Sequence, residues 1–228
     1  MVRIFLSLCL LAGFRAGAQA DSTQSLATVN VLVTSMAGQP SAGEEILFRG
    51  QSRLAYYSGV SDAKGMLRLR LPVGDTYTVT VKSLTDSSKY GTVSIPALEP
   101  GEFYTEPFKV NVKFDPARTY TLRQVHFDVG KASLRPESMK ELEELVRFLK
   151  HKPGVRVEIG GHTDNVGQDK DNLVLSQQRA ETIRNWVIRQ GINATRVQAR
   201  GYGAAKPVAD NGSEEGRQLN RRTEVRIL

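Results

Sequence analysis

The chain is almost without cysteine. Its one thiol, Cys9, lies in the first apolar run, so the body of the protein has no disulfide framework and must be held by packed cores. No run of eighteen or more apolar residues occurs, which excludes an internal membrane-spanning helix. Histidine is scarce and scattered, at His126, His151 and His162. His162 and Asp164 have no third ligand at helical or hairpin spacing, so no metal site is expected. A Gly-x-Ser-x-Gly elbow and a Walker glycine loop are both missing, and Gly201-Tyr202-Gly203 lacks the third glycine of a dinucleotide fingerprint. Neither an enzyme nor a cofactor is expected.

What is present starts with an address. Arg3 gives a basic start, Ile4 to Gly13 form a short apolar core, and Ala18-Gln19-Ala20 offers small residues for cleavage before Asp21. Residues 1–20 thus read as a signal peptide, which leaves no transmembrane segment after cleavage. Leu8 before Cys9, with the apolar core continuing beyond, does not fit a lipid anchor. The formal charge is +7, unevenly spread. Residues 21–119 are neutral, with ten basic and ten acidic side chains, whereas residues 120–228 carry nineteen against fourteen, a net of +5. For an exported chain nucleic acid is a weaker partner than an acidic lipid or an anionic wall polymer, and so modest an excess is more often a solvated surface.

Residues 21–98 are punctuated like an all-β domain. Thr28 to Val33 is a β-branched run ending at the turn Ala37-Gly38-Gln39-Pro40. Ile46 to Phe48 and Ala55 to Val60 follow. Met66 to Leu71 then alternates with period two after the turn at Asp62 to Gly65, and Tyr77 to Val81 follows Pro72 to Asp75. Short strands at regular spacing predict a sandwich. The stretch is too short for the eight or so strands of a membrane barrel. Gly38 to Gly43, Ser61 to Gly65, and Leu71 to Gly74 before Tyr77 carry a resemblance to the carboxypeptidase-regulatory-like family. That implies an Ig/transthyretin-like interaction or structural module, open to an envelope protein partner. Residues 99–118, with proline among mixed polar and aromatic residues, read as a linker plus an extended segment joining the domains.

From residue 119 the period changes. Val125 to Asp128 is a predicted strand, and Pro136 suits a helix start. Met139, Leu142, Leu145, Val146 and Leu149 recur at helical spacing. Val155 to Ile159 alternates as a strand up to Gly160-Gly161. A loop leads to a second helix through Ala180, Ile183 and Val187, closed by Gly191; Val197 to Ala199 and Thr223 to Leu228 are further strands. The fold class is therefore α+β in two domains, a β-sandwich followed by a βαβαβ…β α/β sandwich with a mixed sheet.

Within residues 119–228, the series Phe127-Asp128, Leu134 with Pro136, Gly161-His162-Thr163-Asp164, Gly167, Asn172, Leu175-Ser176, Arg179-Ala180, Gly191-Ile192, Gly201-Tyr202-Gly203, Pro207 and Asn220-Arg221-Arg222 resembles the OmpA-like C-terminal domain, in order and spacing. The resemblance implies non-covalent binding of peptidoglycan through the diaminopimelate of its stem peptide, in the periplasm and in association with the outer membrane. An alternative is a scaffold component of a secretion or motility machine that binds protein partners. A zwitterionic ligand needs an acid and a base held apart. The resemblance assigns its ammonium to Asp164 and its carboxylate to Arg179, whose planar fork suits a carboxylate. Taken alone, Asp164 is more readily a cap and Arg179 a surface ion-pair partner. Asn172 either bonds ligand or closes the loop; Thr163 and Asn165 are lesser candidates; Arg222 either adds a ligand contact or packs within the domain. Val166 and Asp171 depart from the family's usual small polar and aromatic residues; the first removes a hydrogen bond to ligand and the second changes the pocket wall.

Overall fold

The computed structural model describes residues 25–84, 87–128 and 130–228, and the backbone of Phe14–Ala16. The expected leader otherwise lies outside the described residues. The chain divides into two compact units, residues 1–116 and 117–228.

The first unit contains β1 (Phe14–Ala16), β2 (Leu26–Thr34), β3 (Glu45–Gly50), β4 (Tyr56–Val60), β5 (Met66–Pro72), β6 (Asp75–Lys82), β7 (Ser87–Ile95), β8 (Glu102–Tyr104) and β9 (Phe108–Lys113). One sheet has the order β5-β2-β9 and another β4-β3-β6-β7, while β1 pairs with β8. The alternation in β2 buries Ala27, Val29, Val31 and Val33 completely, as period-two patterning requires. These residues meet Ile46, Phe48, Tyr77 and Val79 of the other sheet in one hydrophobic cluster. The phenol of Tyr77, buried in that cluster, donates to the Pro72 carbonyl at 2.6 Å, so its polar end is satisfied. Gly65, at φ +72°, lets the β4–β5 turn press against β2, since a Cβ there would stand 2.2 Å from the Val33 carbonyl oxygen.

Residues 99–118 do not run as a free linker. Phe108, Val110 and Val112 point into the core, and β9 pairs in parallel with β2 from Val29↔Phe108 to Thr34↔Lys113. The first unit accordingly continues to Pro116. Pro107 and Pro116, which gave the stretch its linker composition, fall outside the strand, where they remove no ladder hydrogen bond. The alternation of the six strand residues, Phe108 to Lys113, decides the structure.

The second unit contains β10 (Thr119–Leu122), α1 (Met139–His151), β11 (Val157–Gly161), α2 (Asp169–Arg189), β12 (Val197–Gly201), α3 (Glu214–Asn220) and β13 (Thr223–Ile227). Their sheet has the order β10-β13-β11-β12, with β11 and β12 parallel and the other pairs antiparallel. The expected strand Val125–Asp128 is instead irregular, with one bridge from Phe127 to Leu134; the edge strand is β10. Helix α1 follows a 3-10 turn at Pro136–Ser138 and buries Leu142, Leu145, Val146 and Leu149. Helix α2 buries Ala180, Ile183 and Val187 on the same side as Ser176.

Two glycines set how close α2 comes to the sheet. A Cβ on Gly161 would lie 2.2 Å from the Ser176 carbonyl oxygen, and one on Gly201 would lie 2.4 Å from the Gln177 amide nitrogen. Neighbouring strands β11 and β12 thus both end flush against the helix that carries Arg179.

Candidate functional site

The site is built where β11 ends and the chain turns towards α2. The amide of His162 donates to the Arg222 carbonyl and that of Thr163 to the Gly203 carbonyl, both at 3.0 Å. These bonds hold the strand end between two neighbouring segments and fix where Asp164 emerges. Asp164 is buried. One of its oxygens, Oδ1, accepts from the Val166 amide at 3.0 Å, a side-chain turn typical of Asp. Gly167 then takes φ +92°, a conformation that favours glycine, and α2 begins at Asp169.

Asn172, on the first turn of α2, donates from its side-chain amide to the carbonyls of Asp164 at 3.4 Å and Val166 at 3.0 Å. Of its two possible roles, loop closure is the one observed. The fold-back that Asp164 and Arg179 require is therefore present. Both line one cleft of about 670 Å³, together with Thr163, Asn172 and Val166. The side-chain hydroxyl of Thr163 is buried without a hydrogen-bond partner.

Arg179 is half-buried. Its Nε donates to the Lys131 carbonyl at 3.0 Å, and its guanidinium lies 5.1 Å from the centre of the Phe127 ring. Those contacts orient the fork while its terminal nitrogens make no hydrogen bond among the described residues. Burial draws the guanidinium below its ordinary pKa; Asp164 opposes that fall and Arg221 adds to it. The group remains cationic at any physiological pH.

The side chain that meets Asp164 is one the sequence reading passed over. Arg221 donates from Nη1 to Asp164 Oδ2 at 2.6 Å and from Nη2 to Glu214 Oε1 at 2.6 Å, and it also bonds Gln218. Its pKa is raised, first by the bond to Asp164 and then by that to Glu214. Glu214 also accepts from Arg217 Nε at 3.0 Å. The cleft is thus walled by four cations, Arg135, Arg179, Arg217 and Arg221, against two acids, Asp164 and Glu214.

Two expected residues lie elsewhere. Asn165 is exposed and Arg222 is not part of the cleft wall. Arg222 is instead turned into the domain, where its Nε donates to Glu224 Oε1 at 2.7 Å and its Nη2 to the Lys206 carbonyl at 3.1 Å. The reason is parity. The chain leaves α3 at Asn220 and enters β13 at Thr223, so adjacent arginines project to opposite sides. Arg222 shares a side with Glu224, and Arg221 returns towards α3.

Beside the cleft, His162 is almost completely buried and stacks on Tyr202, with ring centroids 5.0 Å apart and planes 12° from parallel. Neither ring nitrogen has a hydrogen-bond partner. Burial foremost, with Arg222 adding to it and Glu224 opposing, brings its pKa down to about 4. At neutral pH the imidazole is uncharged, so its 3.5 Å approach to Glu224 is a contact rather than an ion pair. Among the described residues no group of three or more His, Cys, Asp or Glu is placed to hold a metal, and no helix is long and apolar enough to cross a membrane.

Comparison with known proteins finds a match to the OmpA family over residues 126–221. Outer membrane porin F of Pseudomonas fluorescens is 40% identical over 103 residues, which is 45% of this chain and 32% of that protein. The peptidoglycan-binding protein ArfA of Mycobacterium bovis is 37% identical over 101 residues, 44% of this chain and 31% of that protein. Among solved structures, the peptidoglycan-associated lipoprotein from Burkholderia pseudomallei superposes with a TM-score of 0.44 at 29% identity, covering 49% of this chain and 91% of that one. The chain spans about a third of the length of the two curated relatives.

Proposed function

We propose, on the premise that residues 126–221 form an OmpA-family domain, that this chain grips peptidoglycan without catalysis and tethers the cell envelope to it. The observation that carries the reading is the meeting of Asp164 and Arg179 on one cleft, with the terminal nitrogens of Arg179 unoccupied. A relative with the same domain is named for peptidoglycan binding, which agrees with that chemistry.

The ligand end that fits is the diaminopimelate of the stem peptide. Its carboxylate lies across the Arg179 fork and its ammonium on Asp164. A carboxylate offers about four lone-pair sites. Asp164 uses two, towards the Val166 amide and Arg221, and keeps acceptor capacity for an ammonium. The excess of arginines over acids suits a ligand with more carboxylates than ammonium groups. Thr163 adds its unpartnered hydroxyl to the wall. Arg221 positions Asp164 and supplies a second cation; Asn172 holds the loop.

Residues 1–20 direct export, and the protein works in the periplasm alongside the outer membrane. The first unit is a carboxypeptidase-regulatory-like module that holds the wall-bound domain to a second envelope component.

The test is co-sedimentation of the purified protein with isolated diaminopimelate-type peptidoglycan. Asp164→Ala, Arg179→Ala and Arg221→Gln should each lower affinity about tenfold or more, the worth of a charge-assisted hydrogen bond. Arg222→Gln should leave affinity near wild type while lowering stability. Pelleting of all variants alike would sink the assigned site. A wild type that stays in the supernatant would sink wall binding itself.

A further inference from the structure

Residues 21–119 are neutral overall, yet the charge of the first unit is segregated. Outward residues of β2, β5 and β9 follow from the register: Thr28 stands opposite Arg70, Asn30 stands between Arg68 and Lys109, Leu32 between Met66 and Asn111, and Thr34 opposite Lys113. Arg68, Arg70, Lys109 and Lys113 are all exposed, and none makes an ion pair among the described residues. No acid occupies an outward position of these three strands. The nearest acids in sequence to β9, Glu106 and Asp115, lie beyond its two ends, and Asp115 already accepts from the Met36 amide at 3.1 Å. The other sheet differs, since Glu45 there sits directly opposite Lys82.

Like charges gathered on one sheet face cost stability, and cross-strand pairs of opposite charge are the stabilising alternative. Arg68 and Lys109 root about 10 Å apart, two strand spacings, with Arg70 about 7 Å along the strand. Apolar side chains are interleaved with these cations on the same face. Leu26 is 41% and Met66 39% exposed, with Leu32 half-buried between strands. Cations alone would suit any polyanion. Cations with exposed aliphatic side chains match an interface where anionic headgroups overlie acyl chains.

We propose that the outer face of the β5-β2-β9 sheet docks on an anionic lipid surface. Arg68, Arg70, Lys109 and Lys113 bind headgroup phosphates, while Leu26, Leu32 and Met66 press into the boundary beneath. This reading is independent of the cleft of the second unit.

The experiment is flotation of the full chain with phosphatidylcholine vesicles containing about a third phosphatidylglycerol, beside pure phosphatidylcholine vesicles. The wild type should float with the anionic vesicles and remain behind with the neutral ones, and salt should release it. Each charge removed should lower partitioning about fivefold, so Arg68→Gln/Arg70→Gln/Lys109→Gln/Lys113→Gln should abolish flotation while wall co-sedimentation is unchanged. Leu26→Ser/Met66→Ser should weaken flotation several-fold. All six positions are exposed, and circular dichroism checks that the variants fold. Equal flotation with both vesicle types, or wild-type flotation of the quadruple variant, overturns the proposal. So does an unaffected Leu26→Ser/Met66→Ser protein, which would assign the face to a soluble polyanion. Failure of wall binding with intact, charge-dependent flotation would overturn the cleft reading alone.

Discussion

Acid should weaken the second unit through His162 in a way that can be isolated. The unfolded chain takes up a proton at this ring near pH 6.5, whereas burial holds the folded ring neutral until about pH 4. Between those values the unfolded state binds more protons, so protonation favours unfolding. The stability tied to the neutral ring is whole above pH 6.5 and is lost as pH falls towards 4. The full loss is about 3 kcal/mol, of which about 2 kcal/mol falls between pH 7 and pH 5. Carboxylates held below their ordinary pKa, Glu158 and Glu214 among them, change stability in the same direction, so a difference measurement is needed. His162→Phe supplies it. Both ring nitrogens lack hydrogen-bond partners, so phenylalanine forfeits none, and the stack on Tyr202 can persist. The chain has one tryptophan, Trp186, placed in α2, so its fluorescence during urea unfolding reports on the second unit. Wild type should lose about 2 kcal/mol more than the variant on going from pH 7 to pH 5. Parallel losses in the two proteins would refute the argument that burial, rather than Glu224, governs the ring.

Two further outcomes follow from the packing. Gly161→Ala places a Cβ against the backbone carbonyl of Ser176, which cannot swing away as a side chain would. Overpacking of this kind costs about 1–3 kcal/mol, read by the same urea titration. Wall affinity should fall with it, because the helix displaced is the one that carries Arg179. Val110→Asp puts a carboxylate into the core position of β9, which is 2% exposed. A buried charge without a partner costs about 3–5 kcal/mol, enough to erase the first unit's cooperative transition in calorimetry; a linker position would tolerate it.

Legibility in the sequence followed the distance over which each decision is made. Local periodicity sufficed for β2, whose alternation needs no knowledge of its partner, and for α1, where Leu142, Leu145, Val146 and Leu149 mark one helical stripe. It failed where an element depends on a distant one. The edge strand β10 is four residues long and exists through its pairing with β13. The strand β9 was hidden by flanking prolines, although its alternation was in plain view, because its partner β2 lies some eighty residues earlier. The site shows the same rule at the scale of one residue. Asp164 and Arg179 are joined by a loop rather than a helix face, so the motif pointed to them and spacing did not. Choosing between Arg221 and Arg222 required the boundary between α3 and β13, and α3 was not foreseen. A signal for it existed: the Ser213 hydroxyl caps the helix by accepting from the Gly216 amide at 3.0 Å, with Glu214 and Glu215 in the first turn, as helix starts favour. Once that start is fixed, the helix has room to end only near Asn220. Arg222 then falls in strand parity with Glu224, and Arg221 is the arginine left to face Asp164.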